Sequence, residues 1–257
     1  MKYNHLTESV DIDTIKSEPY FNQFPNLKLY RGMYGIDGIT TLPFKFREQP
    51  RDTNIKIHDA VNFESTEKFG IPIRNLIFTY PVKEHTYNYG ETVIVIPKGE
   101  FKLYCNPDVF DMTYYFSEFQ NELEIKALVF RKVLDHLRKS RFSHEFGIDY
   151  NTKNFFDDMY DYENRLNNDS INNLILKLIM EKDSEFPVDK FEFKFRQLVG
   201  KYRIETAATM ASKKYVDGVI ELSDESQITI TKERPPEIMV YAPNGFHVVP
   251  YHMLDEE

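Results

Sequence analysis

Three short runs place reactive side chains at the ends of apolar strands. In Leu27-Lys28-Leu29-Tyr30-Arg31-Gly32-Met33, alternation puts Arg31 on the side of Leu27 and Leu29, with Lys28 and Tyr30 opposite. A cation turned toward a core is costly unless an anion meets it. A ligand phosphate or carboxylate meets that need, and so does a carboxylate at the core edge; the planar guanidinium suits both. Gly32 leaves room for a second backbone or a ligand. The run Arg74-Asn75-Leu76-Ile77-Phe78-Thr79-Tyr80 ends in two hydroxyl groups, and Pro81 stops it. Residues 82–90 then have the length of two helical turns, closing at Tyr89-Gly90 with glycine at the cap. Glu237 follows Pro235-Pro236 and opens the otherwise apolar run Ile238-Met239-Val240-Tyr241-Ala242. A carboxylate there is either partly desolvated, the setting for a tuned acid or base, or an edge group in water.

Other chemistry is excluded or weakly signalled. The chain lacks a glycine-rich phosphate loop and a dinucleotide fingerprint. Its seven histidines show no metal-ligand spacing, and the acidic cluster Asp157, Asp158, Asp161 and Glu163 lacks a calcium loop's glycine and periodicity. No metal site is expected. The single cysteine, Cys105, allows no internal disulfide and sits in a strand-like run that predicts burial. A net charge of −9 argues against a surface that grips nucleic acid throughout. Lys126 to Arg141 is a local exception: Lys126, Arg131, Lys132, Arg138, Lys139 and Arg141 face one acid, Asp135. It reads as a contact for an acidic partner or nucleic acid, or as a solvated helix face. No apolar run approaches the roughly 20 residues of a membrane span, and the first residues have no signal-peptide core. The expectation is a cytoplasmic protein with no membrane partner. Abundant Phe, Tyr and Asn, with no Trp, often accompany an AT-rich genome, phage genomes among them; for a phage protein the compartment is the host cytosol.

The elements that position these residues alternate in type. Thr92-Val93-Ile94-Val95-Ile96-Pro97 is a continuous β-branched run and predicts a fully buried strand. Lys98-Gly99-Glu100 predicts a turn returning Phe101 to Cys105 as its hairpin partner. A helix is predicted over Ile57 to Glu64, ended by Phe69-Gly70-Ile71-Pro72. From about 112 to 215 the pattern is helical: a stripe at Phe130, Val133, Leu134 and Leu137 behind an Asn121/Glu124 capping box, a helix from Ser170, and a third over Lys190 to Ala208. Gln227 to Thr231 alternates like a strand, and Pro243-Asn244-Gly245 predicts a hairpin between 237–242 and 246–250. The predicted class is α+β, with a β-rich core over 1–111 and 216–257 and a helical insertion or subdomain over 112–215.

This layout resembles the ADP-ribosyltransferase family. Leu29-Tyr30-Arg31-Gly32 resembles the arginine motif of its arginine–serine–glutamate subclass. Phe78-Thr79-Tyr80, with the helix ending at Tyr89-Gly90, resembles the second-strand motif. Glu237-Ile238-Met239-Val240-Tyr241 resembles the strand bearing the catalytic glutamate. The matched stretches cover roughly 27–105 and 227–250. Two departures stand out: Thr79 with Tyr80 replaces serine-x-serine, and Glu91 is a rival carboxylate.

The resemblance implies a split β-sheet core and NAD as substrate, with ADP-ribose transferred to a macromolecular acceptor, protein or nucleic acid. It implies Glu237 as catalytic carboxylate, with Thr79 bonded to it or to the nicotinamide ribose. It implies Arg31 on the pyrophosphate or adenosine ribose, Tyr80 or Tyr89 stacked on nicotinamide, and Gly32 admitting the nicotinamide amide to main-chain groups. Arg51 and Arg74 are further phosphate ligands in that scheme. The contrasting expectation is a non-enzymatic phage structural or host-interaction protein, in which Arg31 or Glu237 is buried in an ordinary ion pair.

Overall fold

The computed structural model describes residues 10–49, 53–119, 123–139 and 188–254. Arg51, Asn121, Arg141, the 157–163 acidic cluster and the helix expected from Ser170 lie outside the described residues. The chain forms two compact units, one of 1–115 with 212–257 and one of 116–211.

The first unit is α+β. Its strands are β1 (Tyr30–Met33), β2 (Thr40–Leu42), β3 (Ile77–Thr79), β4 (Glu91–Pro97), β5 (Lys102–Cys105), β6 (Ile220–Glu221), β7 (Ile238–Tyr241) and β8 (Phe246–Pro250). They form two antiparallel four-stranded sheets, β1-β4-β8-β2 and β3-β7-β5-β6. Val93 and Val95 of the first sheet share one core with Ile77, Leu103, Ile238 and Val240 of the second. β4 is buried on both faces from Thr92 to Pro97, which is why its sequence is continuously apolar rather than alternating.

The two expected hairpins do not form. β4 is paired on one edge with β1 and on the other with β8, so β5 cannot join it. β7 is likewise occupied by β3 and β5, so β8 cannot pair with it. Both turns instead carry the chain from one sheet to the other. Gly99 (φ 63°) and Gly245 (φ 91°) take the left-handed conformations these corners require. Lys98 N donates to Gly245 O at 3.1 Å, joining the two corners. Tight-turn residues signal a reversal, but they do not say whether the next strand finds a vacant edge.

Three further expectations change. β3 begins at Ile77, because Ile73–Asn75 is a 3-10 turn that takes Arg74 out of the strand. Residues 83–89 form a 3-10 rather than an α helix, and Gly90 leaves it at φ 115°, ψ −157° instead of the α-helical cap. Gln227 to Thr231 is not a strand: Glu225–Gln227 is a 3-10 turn, held by a capping box between Asp224 and Gln227. Helix α1 (Ile12–Lys16) and α2 (Pro19–Gln23) precede the sheets. Helix α3 (Ile55–Phe69) is capped by Asn54, which the sequence analysis did not single out, and it stops at Gly70 (φ 71°), the end its sequence predicts. Helix α4 (Met112–Phe119) starts at Asp111, whose Oδ1 accepts from Tyr114 N at 3.0 Å.

The second unit contains α5 (Leu123–Lys139) and most of α6 (Val188–Asp217). Phe130, Val133, Leu134 and Leu137 are buried along α5, as the helical stripe predicts. Lys132 Nζ donates to Thr206 Oγ1 at 3.3 Å, and His136 Nδ1 lies 2.9 Å from Tyr202 Oη. A cleft of about 500 Å³ there is lined by Lys132, Asp135, His136, Lys139, Tyr202 and Glu205. Its charges are of both signs, so the basic run does not present a uniformly cationic face at this cleft.

Candidate functional site

One face of the second sheet carries the polar groups and is covered, with Met239 and Tyr104 fully buried on it. The register pairs Phe78 with Met239 and Thr79 with Ile238, and side chains alternate between faces. Phe78, Met239 and Tyr241 therefore share one face with Glu237, while Thr79, Ile238 and Val240 share the other. Thr79 is fully buried and its Oγ1 donates to Ile238 O at 3.0 Å. This corrects the expectation that Thr79 bonds Glu237: a one-residue step along a strand reverses the face. Replacing Thr79 with Val should cost about 1 kcal/mol, the net worth of one hydrogen bond, and leave any catalysis unchanged. Urea denaturation and turnover of the same preparation check this, and a selective loss of turnover would restore Thr79 to the site.

Tyr80 replaces it. Tyr80 lies just beyond β3 and exchanges two main-chain hydrogen bonds of 2.8 Å with Tyr30, which brings the end of β1 against the end of β3. Its hydroxyl donates to Glu237 Oε1 at 3.4 Å. Its ring lies 5.8 Å from His85 and 6.4 Å from Phe110. Burial and the nearby Glu237 charge hold the Tyr80 hydroxyl far above its ordinary pKa, so it stays a donor.

Glu237 meets Arg74 on its other oxygen: Arg74 Nη1 donates to Oε2 at 3.2 Å, with the glutamate side chain 12% exposed. Burial drives the Glu237 pKa up, and Asp111 pushes the same way. Arg74 and the two hydrogen bonds pull it down without reversing the sign. Arg74 is fixed by its 3-10 turn, by donation from Nη2 to Thr53 Oγ1 at 3.3 Å, and by its guanidinium 4.3 Å above the Phe78 ring. Its Nε is buried without a hydrogen-bond partner among the described residues.

Arg31 is half-buried and its Nη1 donates to Phe78 O at 2.8 Å, so its fork reaches the backbone of β3. Gly32 admits protein rather than ligand. A Cβ there would sit 2.5 Å from Tyr89 Cβ and 2.7 Å from Thr86 O. Gly32→Ala should cost about 1–3 kcal/mol as overpacking against backbone, measured as a lower melting temperature; an unchanged melting temperature would mean the 83–89 turn moves freely. Tyr89 is 54% exposed, and its backbone seals Gly32. Glu91 is exposed and opens β4 opposite Met33.

The sequence reading missed Thr53, Asp111, His85 and Phe110. Asp111 carried a usable signal, since an aspartate three residues before the first turn's tyrosines is an N-cap type. Cys105 is buried, and desolvation pushes its thiol up to about 12, which leaves it protonated and inert. Among the described residues no group of three or more side chains could hold a metal ion, and no helix is long and apolar enough to cross a membrane. No family model, curated protein or solved structure matches this chain.

Proposed function

We propose that the chain is an NAD-dependent mono-ADP-ribosyltransferase with Glu237 as its catalytic carboxylate. The observation that carries this reading is the convergence of the ends of β1, β3 and β7: Tyr80 bonds both Tyr30 and Glu237, and Arg74 bonds Glu237. The residue types fit the substrate. Guanidinium groups match pyrophosphate, a buried hydroxyl and carboxylate match ribose hydroxyls, and aromatic rings border them.

The bond that breaks is the glycosidic bond between ribose C1′ and the nicotinamide nitrogen. Its electron pair leaves with nicotinamide, which neutralises the ring, and positive charge builds on the ribose as in glycoside cleavage. Glu237, poised above ordinary carboxylate strength, stabilises that charge and takes the proton from the acceptor as the new C1′ bond forms. Tyr80 orients the carboxylate. The test is nicotinamide release from NAD by the purified chain, together with a thermal-shift titration with NAD.

A second reading is favoured by the closed Arg74–Glu237 pair, both side chains being about nine-tenths buried. In that reading the pair is structural and the chain is a non-enzymatic structural or host-interaction protein. It expects no thermal shift with NAD and no nicotinamide release.

A further inference from the structure

We infer that the cleft between α5 and α6 in the second unit binds a mononucleotide whose base presents an amino donor beside a ring-nitrogen acceptor, as cytosine and adenine do. The cleft is built by that unit alone, and Glu237 belongs to the first, so the inference stands apart from the transferase reading.

Helical spacing makes the site. Lys132, Asp135, His136 and Lys139 stand at i, i+3, i+4 and i+7 of α5 and therefore share one face. That face borders the buried stripe of Phe130, Val133, Leu134 and Leu137. Tyr202 and Glu205, three apart on α6, close the other side. The space of about 500 Å³ falls within the range of small-molecule sites, about 300–1,000 Å³. A ligand can reach it: Lys132, Asp135 and Lys139 are exposed, and His136, Tyr202 and Glu205 are half-buried.

Two contacts set the order of the groups. Lys132 meets Thr206 and His136 meets Tyr202, so the two helices run antiparallel here. Glu205 is then level with residue 133 of α5, and Lys139 stands six residues further along, roughly 9 Å at the helical rise. One end of the cleft carries Lys139 and His136; the other carries Glu205 and Lys132. Among the described residues the Lys139 ammonium has no partner, and that of Lys132 has only Thr206 Oγ1, at 3.3 Å.

Each end has its own chemistry. At the first, an ammonium with three spare donors meets a phosphate. Burial and the Glu205 and Asp135 charges hold the Tyr202 phenol above its ordinary pKa; a phenol donating to Nδ1 of His136 leaves a hydrogen on Nε2, a further donor. At the second, a carboxylate accepts from a base amino group, and the ammonium beside it donates to the adjacent ring nitrogen. Carboxylates inside a basic run disfavour a phosphate polymer but suit one nucleotide, which brings a donor edge as well as an anion.

The experiment is calorimetric titration of the full chain with CMP, UMP, cytidine and inorganic phosphate. CMP should bind more tightly than cytidine or phosphate alone. With the phosphate fixed, UMP presents donor and acceptor in the reverse order and should bind about 10- to 150-fold more weakly, the range for one hydrogen bond to a charged group. Lys139→Ala should weaken CMP by about 3- to 10-fold, a charge contact discounted for solvent exposure, and leave cytidine unchanged. Glu205→Gln should bring CMP and UMP within about 3-fold of each other, since an amide both donates and accepts. Asp135→Asn should tighten CMP by removing a like charge beside the phosphate. Lys45→Ala, at an exposed lysine of the first unit, should bind like wild type. Melting temperatures confirm that each variant is folded. No CMP binding, equal affinity for CMP and UMP, inorganic phosphate or cytidine binding as tightly as CMP, or an equal loss in Lys45→Ala overturns the site.

Discussion

Glu237→Gln should lower nicotinamide release from NAD by about 10²- to 10⁴-fold, the range for losing a positioned acid–base or charge-stabilising group. The substitution keeps the shape of the side chain and an oxygen for the Tyr80 hydroxyl and Arg74, and a melting temperature measured beside turnover separates the cost of the uncompensated Arg74 charge from lost catalysis. Glu91→Gln, at an exposed position, should retain activity; the reverse pattern would move the catalytic assignment to Glu91. The wild-type pH–rate profile should rise with an acid limb above the ordinary glutamate pKa of about 4.3, because burial raises Glu237.

The same shift has a stability consequence with a definite sign. The native state holds the Glu237 proton more tightly than the unfolded chain does. Between the ordinary and the raised pKa, the native state therefore binds more protons, and stability falls as pH rises through that window. The Gln variant lacks this proton, so its urea midpoint should fall less than the wild type's between pH 4 and 7. A larger fall in the variant would mean that Arg74 outweighs burial and that the carboxylate is ionised at low cost.

The sequence showed which segments are apolar, where α3 stops and that Thr79, Tyr80 and Glu237 sit at strand ends, whereas Arg31, expected at a strand end, lies inside β1 opposite Val93. The continuous run at 92–96 became a strand buried on both faces, and Gly70 stopped α3 where expected. Pairing was not legible. Gly99 and Gly245 marked reversals, yet the strands they join enter different sheets, because vacant edges depend on residues far away in the chain. The same limit applied to the site. Thr79 and Tyr80 are neighbours in sequence and equivalent as hydroxyl donors, but the register of β3 against β7 turns one inward and the other toward Glu237. Arg74 read as a strand residue and a phosphate ligand. The 3-10 turn at 73–75 lifts it out of the strand, so that it can reach over Phe78 to the carboxylate.

Arg74 is consequently the residue on which the electrostatics of this face depend, and Arg74→Met should be the most destabilising single change proposed for it. Removing one partner of a buried pair leaves an uncompensated charge and costs about 3–5 kcal/mol. Here Asp111 raises that cost, since it already opposes a charge on Glu237. The carboxylate can escape by taking a proton, so the loss should be largest near pH 8 and smallest near pH 4, measured as urea midpoints across the range. Arg74→Lys should rescue little. The guanidinium uses separate nitrogens for Glu237 and Thr53 and lays its plane over Phe78, and an ammonium cannot do all three. The double variant Arg74→Met/Glu237→Gln should recover most of the stability, because the penalty lies in the orphaned charge rather than in the missing bond. Single and double variants of equal stability would instead mean that water reaches Glu237 and that the pair is no more than a surface contact, worth about 0–1 kcal/mol. In the transferase reading, Arg74→Met also drives the Glu237 pKa further up, so the acid limb of the pH–rate profile should move to higher pH in the single variant and disappear in the double.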